Sequence, residues 1–148
     1  MSLSRYRAWD KENDRMIYPS NNDVYFNLTD DGISIEDLAL EPYDGIFPLL
    51  DSVLMQSTGL KDKNGVEIYE GDIVILTSKS INYADTYWHK YAEVFQHPNG
   101  AYRLRGKGIY ETELYSNRKQ VTLTGNIYET PELLENDRFC TETDDPDY

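Results

Sequence analysis

The chain has 148 residues, which is enough for one ordinary domain or two very small ones. No run approaches the roughly 20 apolar residues that a membrane-spanning helix requires, so we expect no membrane association. The formal net charge is -13, and the single cysteine, Cys140, excludes an internal disulfide, which is typical of a protein in a reducing cytoplasm.

The first part of the chain predicts two β-hairpins. Residues 6–9 and 15–18 flank a polar stretch and predict a short first hairpin. Residues 24–28 and 33–35 alternate around a turn signal that ends at Gly32, and they predict a second one. After an irregular connection, a short strand is expected at residues 53–56. We take residues 4–57 as an acidic N-terminal β-hairpin region.

Two glycine turns open the next region. Asn64-Gly65 favours two successive positive φ values and predicts a tight type I′ hairpin turn. Gly71-Asp72 is a second turn signal, and it precedes an apolar β-branched run at residues 73–76 that predicts a buried strand. Asn99-Gly100 predicts another tight hairpin turn further along the chain.

The region from residue 58 to residue 136 is predicted to be a small β-barrel. Five short strands with tight turns favour a closed barrel over a long sheet, and they are expected near residues 66–69, 72–77, 91–96, 101–104 and 120–128. Their inward side chains should share one core, formed by Ile73, Ile75, Val94, Leu104, Val121 and Leu123. Thr130 is expected to cap a brief helix with Pro131 at its first position. Residues 137–148 are expected to be a disordered acidic tail, and the fold class is α+β, mostly β.

The negative charge is unevenly distributed. Residues 16–60 contain eight acids and no Lys or Arg, whereas residues 59–131 contain nine acids and nine bases. Nucleic-acid binding requires clustered cations that displace counterions, and because the sequence shows no such cluster we expect no direct nucleic-acid binding. Solvation of an acidic face is the simplest explanation of the charge. An alternative is a surface that imitates DNA phosphates, with an acidic face at Asp30, Asp31, Glu36 and Asp37.

The sequence contains no pattern typical of an active site. His89 and His97 have no Cys pair to complete a zinc site, and Asp30-Asp31-Gly32 lacks the ligand spacing of a calcium loop. Gly106-Lys107-Gly108 is not a phosphate-binding loop. We therefore predict no catalytic residue, metal or cofactor. Catalysis by an Asp or Glu with a bound metal stays a minor alternative.

Aromatic residues are the better candidates for binding. Thirteen tyrosines are many for this length, and the expected long loop at residues 78–90 contains or adjoins a group of four aromatics, Tyr83, Tyr87, Trp88 and Tyr91. Tyr and Trp provide large contact areas at protein interfaces at low entropic cost. The alternative is that Trp88 and Tyr91 only pack on the end of the barrel. We predict these four residues as a partner-binding site.

Several short blocks together carry a resemblance to a known family. They occur in a fixed order along the chain, at residues 6–10, 15–18, 54–59, 59–74, 125–129 and 131–134. In these blocks the chain resembles the YopX family of bacteriophage and prophage proteins. The resemblance implies a C-terminal part similar to a Src-homology-3-like barrel, and it supplies no catalytic residue.

The resemblance implies a phage or prophage protein, and we predict that it acts as a non-enzymatic interaction adaptor. Its partner would be a host or phage protein in the bacterial cytoplasm or a second copy of the chain in a homo-oligomer. The alternative function is an acidic decoy that imitates DNA and occupies a nucleic-acid-binding protein of the host.

Overall fold

The computed structural model describes residues 5–42, 45–46 and 49–147. Two compact units, Met1–Gln56 and Ser57–Tyr148, divide the chain, and they are called here the N-terminal and C-terminal units. Within the described residues, regular structure comprises twelve β-strands, one four-residue α-helix and a 3-10 helix. The prediction of a mostly β protein is confirmed.

The N-terminal unit contains both predicted hairpins. Strands β1 (Tyr6–Asp10) and β2 (Arg15–Ile17) form the first, and β3 (Val24–Thr29) and β4 (Gly32–Asp37) form the second. Strand β5 (Ser52–Lys61) is longer than expected, and its first half pairs antiparallel with β1. Inward side chains of the hairpins form a core of Tyr6, Ala8, Ile17, Val24, Phe26 and Ile35.

The C-terminal unit contains the second half of β5 and the remaining elements. In chain order these are β6 (Glu67–Tyr69), β7 (Asp72–Lys79), β8 (Tyr87–Gln96), β9 (Tyr102–Gly106), β10 (Ile109–Glu113), α1 (Leu114–Asn117), β11 (Val121–Asn126), a 3-10 helix (Pro131–Glu135) and β12 (Phe139–Thr141). The main sheet has the order β10-β9-β8-β7-β11, and β12 also pairs with β8. This curled sheet is a half-barrel, because in the described part of the chain no ladder joins β10 to β11.

The core of the C-terminal unit differs from the predicted one at strand β7. Val74 packs in the core with Val94, Leu104 and Val121, and Leu123 packs against them. Ile73 and Ile75 are also buried, but the alternation of a strand places them on the opposite face from Val74. The prediction that Ile73 and Ile75 point into the same core as Val94 is therefore wrong. Both faces of β7 are covered, so its apolar residues do not alternate with polar ones, and the sequence does not indicate which of them point into that core.

The two predicted hairpin turns are present, but their type is not I′. A type I′ turn requires positive φ at both central residues. Gly65 has φ +84° and Gly100 has φ +93°, but neither Asn64 nor Asn99 has a positive φ. The Gly65 amide donates to the Asp62 carbonyl oxygen, and the Asp62 amide donates to that of Val66. This is a three-residue connection that ends in a glycine bulge. It forms because the Asp62 carboxylate accepts the amides of Asn64 and Val66, which fixes the turn from its first residue.

Two predictions for the C-terminal segment are corrected. Residues 131–135 form a 3-10 helix, and the Thr130 hydroxyl does not cap it but bonds to the backbone of Asn126. Residues 139–141, in the tail expected to be disordered, form strand β12, whose register places Cys140 opposite Trp88. Pro146 is buried. The acidic composition predicted disorder, because composition alone contains no information about the long-range pairing of these residues with β8.

Candidate functional site

Strand β8 organises the candidate site, because its two faces carry different chemistry. Ala92 and Val94 point into the core of the C-terminal unit, so Trp88 and Lys90 lie on that same face of the strand. Tyr87, His89 and Tyr91 lie on the opposite face. Strand β7 pairs with one edge of β8 along most of its length, and β12 and β9 share the other edge.

The structure does not bring the four predicted aromatic residues into one cluster. Strands β7 and β8 are longer than expected, so the predicted loop at 78–90 shrinks to residues 80–86. Tyr83 lies in this loop and is 69% exposed. Tyr87 and Tyr91 share one face of β8, and Trp88 lies on the other. The prediction of a single aromatic site in a loop is wrong in this respect.

Trp88 lines an open cavity of about 590 Å³, called here the Trp88 cavity. The side-chain charges around it are mainly positive, and its other lining residues are Lys90, Lys107, Gly108, Asp137 and Arg138. The Arg138 guanidinium lies 4.2 Å from the centre of the Trp88 ring. Lys107 Nζ lies 2.7 Å from Asp137 Oδ1, and this lysine lowers the pKa of Asp137 by its hydrogen bond and its charge.

The cavity follows from the way two strands share one edge of β8. The ladder with β12 covers Tyr87–His89, and the ladder with β9 covers Glu93–Gln96. The intervening residues of β8, from 90 to 92, lie between the first residue of β12 and the turn that joins β9 to β10. Lys107 and Gly108 come from that turn, and Asp137 and Arg138 precede β12. The site therefore depends on β12, which the sequence did not predict.

The opposite face of β8 buries a histidine in a chain of hydrogen bonds. His89 lies 2.8 Å from the Thr77 hydroxyl through Nδ1 and 2.7 Å from the Thr141 hydroxyl through Nε2. Because the Thr141 hydroxyl donates to the Thr143 carbonyl oxygen, it accepts from His89, which assigns the proton to Nε2. Burial lowers the pKa of His89, and the charge of Lys63 lowers it further. His89 thus links β7, β8 and β12 through hydrogen bonds of both ring nitrogens.

A group of cations that the sequence analysis did not recognise lies near the same face. Two open pockets, of about 470 and 200 Å³, share Lys63 and Lys119 in their linings. Together they gather five cations, called here the basic surface: Lys61, Lys63, Lys79, Arg118 and Lys119. These residues come from three separate parts of the sequence, so the expectation that no Lys and Arg cluster exists is wrong. The turn at residues 62–65 and the pairing of β7 with β11 bring these parts together, and the pairing has no local signal in the sequence.

The four predicted acidic residues do not form one exposed face. Asp30 and Asp31 are exposed in the turn between β3 and β4. Glu36 is half-buried and accepts a hydrogen bond from the Asn27 amide at 3.0 Å. Asp37 is buried, so the prediction of a four-carboxylate face is wrong at this position.

Asp37 belongs instead to an ion-pair cluster inside the N-terminal unit. Arg15 lies 3.0 Å from Asp10 through Nε and 2.5 Å from Asp37 through Nη2. Burial alone would raise the pKa of both carboxyls, but hydrogen bonds outweigh it and the pKa of each is lowered. The hydrogen bond with Asp37 raises the pKa of Arg15. The cluster joins the first hairpin to the second, and its arrangement indicates a structural role.

The described residues contain no candidate metal centre and no membrane-spanning helix. Within residues 5–42, 45–46 and 49–147, no three His, Cys, Asp or Glu side chains are grouped so that they could hold a metal ion. Over the same residues, no helix has the length and apolar character needed to cross a membrane. Cys140, the only cysteine, is exposed and unpaired in β12.

A family model and a solved structure match this chain. The family model described as "YopX protein" matches residues 5–135. A similar solved structure is described as "Crystal structure of protein EF1440 from Enterococcus faecalis"; it is 28% identical, covers 88% of this chain and 96% of that chain, and superposes with a TM-score of 0.55. No curated protein matches the chain. Because the family match spans most of the sequence, the chain belongs to the YopX protein family.

Proposed function

We propose that this protein is a non-enzymatic, phage-encoded adaptor that binds a host or phage protein through the Trp88 cavity. The observation that supports this most is a half-buried Trp ring, stacked by Arg138, at the wall of an open cavity. Trp and Arg are the residues most often found at the energetic centre of protein interfaces. Trp88 thus lies in a concave site with a cation on its ring.

The lining of the cavity defines the partner that it fits. The Trp88 ring offers an apolar wall, and Lys90, Lys107 and Arg138 outnumber the single carboxylate of Asp137. An apolar or aromatic side chain next to a carboxylate would satisfy both features. We propose that the partner presents such a pair of groups in the cytoplasm of the bacterial host.

The architecture of the C-terminal unit is compatible with this role. We propose that its half-barrel is an open relative of the Src-homology-3-like barrel, in which strand β12 replaces part of an edge. Barrels of that kind bind extended peptides in grooves lined by aromatic rings. Trp88 would supply such a ring here.

The acidic decoy receives less support than the adaptor. Of the four carboxylates considered for it, Asp37 is buried beside Arg15, and Glu36 is held by Asn27. Of these four, only Asp30 and Asp31 are exposed, and two charges in one turn are a poor imitation of a phosphate backbone, which carries one charge per ~1.7 Å of duplex.

The test of the adaptor proposal is affinity capture with matched variants. The wild-type chain, Trp88→Ala and Tyr110→Ala are immobilised, exposed to a lysate of the phage host, and the captured proteins are identified by mass spectrometry. Tyr110 is a suitable control because its side chain is 97% exposed on β10. We expect one protein to be retained by the wild type and by Tyr110→Ala and lost with Trp88→Ala.

Three outcomes would count against the proposal. A partner that Trp88→Ala retains as well as the wild type would remove the cavity from the interface. A partner that is lost with Asp30→Asn and Asp31→Asn and displaced by duplex DNA would favour the decoy instead. If Trp88→Ala is misfolded by circular dichroism, Lys107→Gln and Arg138→Gln replace it, and partner retention by both would overturn the proposal.

A further inference from the structure

The basic surface is an unusual feature of a chain with a net charge of -13. Its five cations share two pockets with only two carboxylates, those of Asp62 and Asp144. The Asp62 carboxylate is already engaged, because it accepts the backbone amides of Asn64, Val66 and Leu123. The surface therefore carries an excess of positive charge.

In the part of the chain that the structure describes, none of the five cations of the basic surface forms an ion pair with an Asp or Glu. Lys63 Nζ donates to a carbonyl oxygen, that of Asp144, at 2.6 Å. Arg118 stacks on the Tyr115 ring at 4.1 Å and donates to the Tyr115 carbonyl oxygen. Positive charge that exceeds the nearby negative charge is suited to an anionic ligand.

An acidic segment of the chain itself lies beside this surface. Residues 142–147 follow β12 and contain four acids, Glu142, Asp144, Asp145 and Asp147. The tail contacts the rest of the C-terminal unit through the Lys63–Asp144 hydrogen bond, and Pro146 is buried. An acidic polypeptide thus already lies beside Lys63 and lines one of the two pockets with Asp144.

We propose that the basic surface binds an acidic segment of a partner protein, and that the chain's own tail competes for it. The tail contributes Asp144 to the lining of one pocket and contacts Lys63 through the Asp144 carbonyl oxygen, whereas a longer acidic segment would bring carboxylates to the five cations. Duplex DNA is disfavoured as the ligand because its dense charge is repelled by the acidic remainder of the chain. This surface lies apart from the Trp88 cavity in its lining residues, so the inference does not depend on the proposed adaptor site.

Competition by the tail has a measurable consequence. A tethered segment acts at an effective concentration in the millimolar range, so it weakens the binding of a free acidic peptide to the same surface. Removing the charge of the tail should therefore strengthen binding of the free peptide, and removing cations of the surface should weaken it.

The experiment measures the anisotropy of a labelled peptide with the sequence of residues 142–148, Glu-Thr-Asp-Asp-Pro-Asp-Tyr, at low salt. The full-length wild type is compared with a full-length variant carrying Glu142→Gln, Asp144→Asn, Asp145→Asn and Asp147→Asn. We expect the tail variant to bind the peptide at least about tenfold more tightly, since a local competitor at millimolar effective concentration is weakened. Adding Lys63→Gln and Lys119→Gln to the tail variant should abolish binding, and adding Lys107→Gln, in the other cavity, should leave it unchanged.

Several results would overturn the inference. Equal affinity of the wild type and the tail variant would show that the tail does not compete. Binding that survives Lys63→Gln and Lys119→Gln, while circular dichroism shows a folded chain, would place the peptide elsewhere. Tighter binding of a 20-base-pair duplex than of the peptide to the tail variant would make the surface a nucleic-acid site. Failure of this experiment would leave the Trp88-dependent capture of a partner unaffected.

Discussion

Replacing Arg15 by Met should destabilise the N-terminal unit by about 2–4 kcal/mol at pH 7. The substitution leaves the carboxylates of Asp10 and Asp37, whose side chains are 0% and 2% exposed, without their cation. Removing one partner of a buried pair costs about 3–5 kcal/mol. The value is reduced here because the Arg15 side chain is 39% exposed and water screens part of its charge.

The same substitution should change the pH dependence of stability in a defined direction. Both carboxyls have a lowered pKa in the folded wild type, so their stabilising contribution is present above the unfolded value of about 4 and is lost as the pH falls through the folded pKa. Without Arg15, burial is less strongly opposed and both pKa values should rise. The difference in the free energy of unfolding between wild type and variant should therefore shrink below pH ~4.

The assay is urea unfolding followed by the fluorescence of Trp9. A Trp88→Phe background makes Trp9, in strand β1, the only tryptophan, since the chain contains two. The control is Lys11→Met, because Lys11 pairs with Asp51 at 3.5 Å with both side chains more than half exposed, and should cost less than ~1 kcal/mol. The reasoning is refuted if Arg15→Met costs no more than Lys11→Met or if its cost is the same at pH 7 and pH 3.5.

Three further predictions concern a turn, a histidine and self-association. Gly65→Val should lower the free energy of unfolding by at least ~1 kcal/mol, because φ at residue 65 is +84°, whereas Asn64→Val should cost clearly less. Equal costs in urea unfolding would indicate a type I′ turn instead. The pKa of His89 is lower in the folded than in the unfolded chain, so the stabilisation from neutral His89 is intact above pH ~6.5 and is lost as the pH falls. His89→Gln should therefore reduce the loss of thermal stability between pH 6.5 and 5. The same loss in wild type and variant would contradict this. Ile46 and Leu49 are exposed apolar residues, so sedimentation equilibrium should show a homo-oligomer, most simply a dimer, and a purely monomeric profile at low and high salt would end that expectation.

Local signals predicted most of the strands, and long-range pairing accounts for most of what they missed. Gly65, Gly71 and Gly100 have positive φ at the places where the chain turns, so the strands beside them could be located from sequence. Strand β12 could not, because residues 139–141 lie in an acidic tail and become a strand only by pairing with β8. The same pairing brings Arg138 to the Trp88 ring.

The candidate sites were predictable to different degrees for the same reason. An excess of aromatics drew attention to Trp88, but which face of β8 it occupies depends on the true start of that strand at Tyr87. The basic surface was invisible because its residues are spread from 61 to 119 in a segment of zero net charge. Asp37 looked like one more surface acid, since a carboxylate that pairs with a distant arginine has no local signature in the sequence.

Site-specific photo-crosslinking in living cells tests the central claim, that the protein binds another protein through the Trp88 cavity. A photoreactive amino acid replaces Lys107, an exposed residue of the cavity lining, or Asn99, an exposed residue in the turn between β8 and β9. The account predicts a discrete crosslinked protein from position 107 that is absent from position 99 and is lost when Trp88→Ala is added. The same crosslinks from both positions, or a crosslink at position 107 that persists with Trp88→Ala, would contradict it.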